Sequence, residues 1–487
     1  MKRKRAGFAK ANPLLVTLVF AAAALLALGY LFVVSGNVLL RFFLAIVVLM
    51  ISGSAIAFAN GLQNSYGAYL LGGKKGIDFV DWLASSNEWL WNGLADWGLA
   101  LGFGLLSLPM FGKRLNRKTF ILGMATILVI LIFVFPYLSV VLTFINIPQI
   151  SSAAAGAAAT TAASSQGANL LYYALIAAGI IGGFSLFTMI VILYAGGSIL
   201  LGIFEFIAGY ASSNPNYSLL TSQVPGVAPI IPGITIPLFA GIISLVILLI
   251  VHEFSHGIQA RIAKVRIKSI GVILFGIIPM GAFVEPDESK VRKLKPRDQD
   301  RISIAGISAN MLVSLLFFAV TLLMLYLVLP NVSTGGIIVT SVVKSSPAYG
   351  VIAPNSTILM WNSMTIRNEY DLAAAESGYV AGNYVSVVTN KGAVSIMPES
   401  AGKLGIFVAP AETSTWTYQV AEFIYAIAAL SFGLNFFVAI FNLLPIPGFD
   451  GWRIYQGKVK NKRLLKALAV LIVAAILINV LPWFWTL

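Results

Sequence analysis

Read from its first residue, the chain alternates long apolar runs with short polar breaks. Nine runs reach spanning length, near 13–35, 38–59, 88–111, 119–146, 169–211, 237–263, 303–330, 417–446 and 464–486. The hydrocarbon core of a bilayer takes about 20 residues of apolar helix, so the pattern predicts a polytopic α-helical membrane protein. The run 169–211 is long enough for two spans turning near Gly196-Gly197, or for one span plus an interfacial piece. The stretch 82–97 sets Trp82, Trp89, Trp91 and Trp97 among Glu88 and Asp96, a make-up suited to the membrane interface. An Ala/Ser/Thr/Gly stretch at 151–168 offers nothing from which to build a core.

One long polar interval stands apart. Residues 333–412 carry β-branched runs at Ile337–Val342 and Tyr384–Val388, with a short helix expected around Asp371–Ala375. This is the element mix of a small peptide-binding domain. Charge fixes its side. Ten lysines and arginines fall between Arg261 and Arg301 and six between Arg453 and Lys466, against four in 333–412. The positive-inside rule then puts both basic segments in the cytoplasm and the polar module outside. In the first half, Lys74-Lys75 and the Lys113–Lys118 cluster both favour the cytoplasm, and simple alternation cannot satisfy both.

Composition agrees with a lipid setting: 59% of the 487 residues are hydrophobic and 10% charged, where soluble domains run near 25% charged. The net charge of +14 sits in clusters beside apolar runs, so it marks loops, and no nucleic-acid partner is expected. Met1–Arg5 and the run Pro13–Val34 have the outline of a signal peptide, but the run is too long and no small-residue cleavage site follows. It reads as a retained first span. Cysteine is absent, so any metal must be held by His, Asp or Glu.

Chemistry enters at His252-Glu253-Phe254-Ser255-His256. The spacing sets two imidazoles one helical turn apart on one face, able to reach one ion. Zinc takes two His nitrogens and a carboxylate and keeps a place for water, on which Glu253 can act as general base. The bland alternative is a chance match. Yet the chain has only two histidines, both in the motif, and random placement gives that separation in about one case in 250. The trio also lies in a nearly uncharged apolar run, where ionisable groups persist mainly when functional. His252 is 15 residues past Pro237, or roughly 22 Å of helix, which puts the metal at membrane depth near the cytoplasmic face. Asp450, in Asn442-Leu443-Leu444-Pro445-Ile446-Pro447-Gly448-Phe449-Asp450-Gly451, is the best third ligand. The alternative there is a plain helix-ending turn. Against it, Asp450 and the histidines stand at the same inner end of oppositely directed helices.

With these motifs, the chain resembles the site-2 protease family of intramembrane metalloproteases over roughly residues 225–487. Ala305–Asn310 is similar to that family's Gly-x-x-x-Asn signature, and Ile278–Pro286 resembles its re-entrant β-hairpin. The resemblance implies one Zn2+ held by His252, His256 and Asp450, with Glu253 as catalytic base. It implies Asn310 and Asn442 lining the site, and Gly281, Ala282 and Phe283 of the hairpin pairing with an extended substrate. Residues 333–412 resemble a PDZ domain, with Asn355-Ser356 where Gly-Asp is usual. Phe437 stands where many relatives carry a further Asn.

The expected division is 1–222, a multi-span region of unassigned role; 223–332, the first part of the core; 333–412, the PDZ-like insert; and 413–487, the second part of the core. The expected function is hydrolysis of peptide bonds in or near the spans of single-pass membrane proteins or peptides, in the cell membrane. A transporter or channel using the His/Glu/Asp cluster as an ion path is the main competitor, though no inverted repeat supports it. A non-catalytic PDZ-bearing scaffold would need none of the four residues.

Overall fold

The structure, a computed structural model, describes residues 12–482 apart from 35–37, 75, 113–114, 139–140, 142–143, 145–165, 212–229, 234, 333–335, 345, 381, 400–402 and 411–415. The basic cluster at Met1–Arg5 and most of the 151–168 stretch lie outside the described residues. Nine described helices are long and apolar enough to cross a membrane, at the nine runs named above. The chain is a mostly helical, multi-pass membrane protein. Its contacts divide it into two compact units, residues 1–317 with 429–487, and residues 318–428.

In the first unit, α1 (Pro13–Val33) begins where the Asn12 side chain accepts from Leu14 N and Pro13 presets the first turn. Helix α2 (Val38–Ala59) follows. A tight turn with Tyr66 and Gly67 at positive φ then joins β1 (Asn64–Ser65) to β2 (Ala68–Gly73). The stretch 82–97 splits between α3 (Ile77–Ser86) and α4 (Glu88–Phe103), whose second half is buried. Helix α5 (Arg117–Val129) comes next.

Helix α6 (Gln166–Ala211) is broken, but at Gly183 (φ 62°, ψ −163°), not at Gly196-Gly197 as expected from the sequence. Packing decides between the two pairs. A Cβ on Gly183 would meet the backbone of Leu101, Gly102 and Phe103 at 2.4 Å, so α4 lies directly against the break. A Cβ on Gly197 would meet nothing within 4 Å.

The remaining elements of this unit are α7 (Leu238–Ile262), the hairpin β3 (Ile267–Phe275) and β4 (Ile278–Pro286), and α8 (Pro296–Leu323), which continues into the second unit. One four-stranded antiparallel sheet runs β1-β2-β3-β4, so β2 covers one edge of the hairpin and β4 is left as the open edge. The Phe283 ring packs over Gly72 and Gly271, where a Cβ would meet it at 3.0 and 2.6 Å.

In the second unit, β5 (Ile337–Val342), β6 (Thr357–Trp361), β7 (Met364–Thr365), β8 (Val385–Thr389), β9 (Gly392–Ile396) and β10 (Ile406–Pro410) form an antiparallel sheet. The order is β10-β5-β6-β8-β9, with β7 paired to β6. Helix α9 (Glu369–Ser377) is capped by Asn368, whose side chain accepts from Asp371 N. Asn355 sits at φ 59°, a left-handed position that Asn tolerates better than other side-chain-bearing residues. The core is Ile337, Val339, Ile358, Trp361, Val387 and their neighbours.

The chain ends with α10 (Trp416–Asn442), which enters from the second unit, the short α11 (Asp450–Lys458) and α12 (Lys462–Val480). Hydroxyls tie the first unit's helices together. Ser314 donates to the Phe432 carbonyl and Ser431 to Ser244 Oγ.

Candidate metal centre

Helix α7 supplies His252 and His256, both turned inward, and Glu253 beside them, half-buried. Asp450 arrives from the opposite side of the chain. It is the first residue of α11, after a turn that the sequence builds closely. Gly448 has φ 99°, and a Cβ on Gly451 would lie 2.4 Å from the Leu443 carbonyl oxygen. Both positions require glycine. At a helix N-terminus a carboxylate is favoured by the unsatisfied N–H groups.

The three side chains converge. His252 Nε2 and His256 Nε2 are 3.3 Å apart, and each is 3.1 Å from Asp450 Oδ2. One ligand atom from each residue lies within 4.8 Å of the others. His256 Nδ1 lies 2.7 Å from the Ile302 carbonyl. A carbonyl only accepts, so Nδ1 carries the proton and Nε2 turns its lone pair to the centre.

This donor set fits zinc. Tetrahedral bonds of ~2.0–2.1 Å put ligand atoms about 3.3 Å apart, close to the spacings seen. Space has also been left for it. A Cβ on Gly306 of α8 would stand 2.5 Å from His256 Nε2 and 2.7 Å from His252 Nε2, so only glycine lets α8 pass this close.

Glu253 reaches the hairpin, where its Oε2 accepts from Val284 N at 3.1 Å. Val284 therefore spends its N–H on Glu253 and not on β3. Strand alternation then turns the backbone of Ala282 to the same open side and that of Gly281 and Phe283 toward β3. Among the expected hairpin residues, Ala282 presents edge groups, while Phe283 packs its ring on the sheet. Asn310, fully buried on α8, has its Nδ2 3.2 Å from His252 Nδ1. Asn442 is the last residue of α10, half-buried.

The residues before 212 hold this arrangement from outside. Gln259 donates to the Trp91 carbonyl at 2.7 Å, and Arg261 pairs with Asp81. Arg297 and Arg301 both bind the buried Asp96, at 3.1 and 2.8 Å. Ser185 of α6 donates to the Leu443 carbonyl, just before the Asp450 turn, and lies 2.7 Å from Tyr455 of α11. Ser185 spends its single proton on the Leu443 carbonyl, so the Tyr455 hydroxyl donates to Ser185. Sequence reasoning missed these supports, along with Ile302 and Val284, which act through backbone atoms. The charged ones did leave a signal, since Asp81 and Asp96 are carboxylates beside or within apolar runs.

Comparison with known proteins agrees with the geometry. A protein of Methanocaldococcus jannaschii, described as uncharacterized, is 30% identical over 239 residues, which are 47% of this chain. The chain spans about three fifths (61%) of that relative's length. The model of Peptidase family M50 matches residues 240–481, which include both histidines, the hairpin, Asn310 and Asp450. Over that stretch, just under half of its length, the chain is similar to peptidase family M50, the site-2 protease family.

Proposed function

We propose that this chain is an intramembrane zinc metalloprotease that hydrolyses peptide bonds within or beside the spans of single-pass membrane proteins or peptides. The observation that carries it is the convergence of His252, His256 and Asp450 beside Glu253 on a helix able to cross a membrane. Zinc held there would supply a Lewis acid that polarises the scissile carbonyl and acidifies a water.

The chain's own residues do the rest. Glu253 takes the proton from the attacking water and delivers it to the leaving amine. Its carboxylate is kept at the site by the Val284 N–H. The Asn442 amide can donate to the developing oxyanion. A substrate must be extended before attack, and the open edge of β4 offers backbone partners for that, chiefly at Ala282. The β3–β4 hairpin is then the re-entrant element of a site-2 protease.

The 333–412 module is proposed as a PDZ-like insert. A cleft of about 910 Å³ between α9 and strands β6–β8, lined by Trp361, Met364, Ala375 and Tyr379, supports a peptide groove there. The positive-inside rule supports an active site toward the cytoplasm and an outer module. Residues 1–222 are proposed as scaffold for the two core segments, 223–332 and 413–487.

The test uses the purified full chain in liposomes with a panel of transmembrane peptides. Glu253→Gln is expected to keep zinc and lose cleavage by about 10²–10⁴-fold, and Asp450→Ala to lose both. A Glu253→Gln protein that cleaves like the parent would overturn the assignment. Metal-dependent ion flux without proteolysis would point to the transporter.

A further inference from the structure

Every neutral imidazole carries one proton, and its position decides which nitrogen can ligate. For His256 the Ile302 carbonyl settles the matter. For His252 the neighbour at Nδ1 is the Asn310 amide, 3.2 Å away through Nδ2, while Asn310 Oδ1 is buried with no hydrogen-bond partner among the described residues. Donation from Nδ2 to Nδ1 leaves the His252 proton on Nε2, the atom that faces Asp450 Oδ2 at 3.1 Å. That arrangement blocks Nε2 as a ligand.

An amide is nearly symmetric in shape, and a half-turn about Cβ–Cγ exchanges its oxygen and nitrogen. With Oδ1 facing His252, the proton belongs on Nδ1 and Nε2 is bare. Either orientation leaves one end of the amide unpaired, so packing does not choose between them. Only the oxygen, however, can accept from the Nδ1–H that a ligating His252 must carry.

We propose that Asn310 is a positioning residue for His252. Its amide oxygen accepts Nδ1–H and thereby fixes the ring and the tautomer that zinc binding needs. The inference rests on the zinc reading above. It gives Asn310 a task different from holding substrate or stabilising an oxyanion, because it acts through the ligand and before any substrate arrives. The two histidines are then oriented by two acceptors on one helix, the Ile302 carbonyl and the Asn310 amide, eight residues apart on α8. Gly306, midway between them, clears the space for the rings.

Zinc affinity, measured by chelator competition on the full chain without substrate, tests this. Loss of such an outer hydrogen bond typically weakens metal binding by about 10–100-fold, and that loss is expected for Asn310→Ala. Asn310→Asp keeps an acceptor and removes the amide donor, so its affinity should stay within a few-fold of the parent. Cobalt(II) substituted into Asn310→Asp should likewise keep the parent's visible spectrum. Asn310→Ala holding zinc as tightly as the parent would overturn the proposal, as would Asn310→Asp falling as far as Asn310→Ala. If the parent itself binds no zinc, the metalloprotease reading fails instead, and the two failures are thus separable.

Discussion

Around His256, geometry is set by polar contacts that reach between helices: the Ile302 carbonyl, Asp450 from the far end of the chain, and Asn310 on His252. Around Ile358, in the β-rich unit, it is set by apolar burial within one sheet and by local caps such as Asn368 on α9. The difference follows from solvent. In water, apolarity tells a residue to go inside. In lipid, the tails are as apolar as leucine, so apolarity alone specifies little. Glycines that let backbones approach and polar groups that must find partners carry the specification there. The first unit shows both, in Gly183, Gly306 and Gly451 and in the Asp96–Arg301 and Ser431–Ser244 contacts.

Substitutions can break or sharpen this contrast. The largest effect is expected for Gly306→Ala, whose Cβ would stand 2.5 Å from His256 Nε2. Zinc affinity should fall by about 10²-fold or more, while the β-rich unit keeps its hydrogen-exchange protection. Asp96→Ala leaves Arg301 without its partner in a largely buried site, and should destabilise the first unit by about 3–5 kcal/mol. On the apolar side, Ile358→Ala should cost the β-rich unit about 2–5 kcal/mol. Leu316→Ala on the exposed face of α8 should cost under ~0.5 kcal/mol. A Leu316→Ala loss equal to that of Asp96→Ala would end the contrast.

The β-rich unit also offers a modest, local effect. Asn368→Ala removes the α9 cap, worth about 1 kcal/mol. The same corner should respond to pH. Partial burial works to raise the Asp371 carboxyl, yet Arg367, through its guanidinium and backbone N–H, holds it below the usual carboxylate range. A depressed carboxylate stabilises the fold above its unfolded pKa and loses that contribution as pH falls through the folded value. Protection of α9 in hydrogen exchange should therefore weaken below the ordinary aspartate range, and Arg367→Met should flatten that response.

Much of this was legible in the sequence, and the boundary has physical causes. The nine apolar runs signal themselves because spanning demands length and near-absence of charge. The pairing of His252 with His256 follows from helical period, and the meeting with Asp450 from the direction of two spans. The strand Ile337–Val342 and the helix near Asp371 show through ordinary patterns. The break at Gly183 was hidden because Gly182-Gly183 and Gly196-Gly197 read alike, and only the backbone of α4 tells them apart. The pairing of β2 with β3 joins segments some 200 residues apart. Ile302 and Val284 act through main-chain atoms, which have no residue signature.

The sheet formed by β1 to β4 has a further consequence. One end tapers to the two-residue β1 and the other is β4, nine residues long and uncovered by any strand among the described residues. β1 covers only Ala68 and Tyr69 of β2, so the long free edge is that of β4. An extended chain that lengthens the sheet there lies alongside the strand that holds Glu253. Two such chains cannot be accommodated together, so peptide inhibitors that bind in this way should exclude each other in pairwise competition, whatever their sequences.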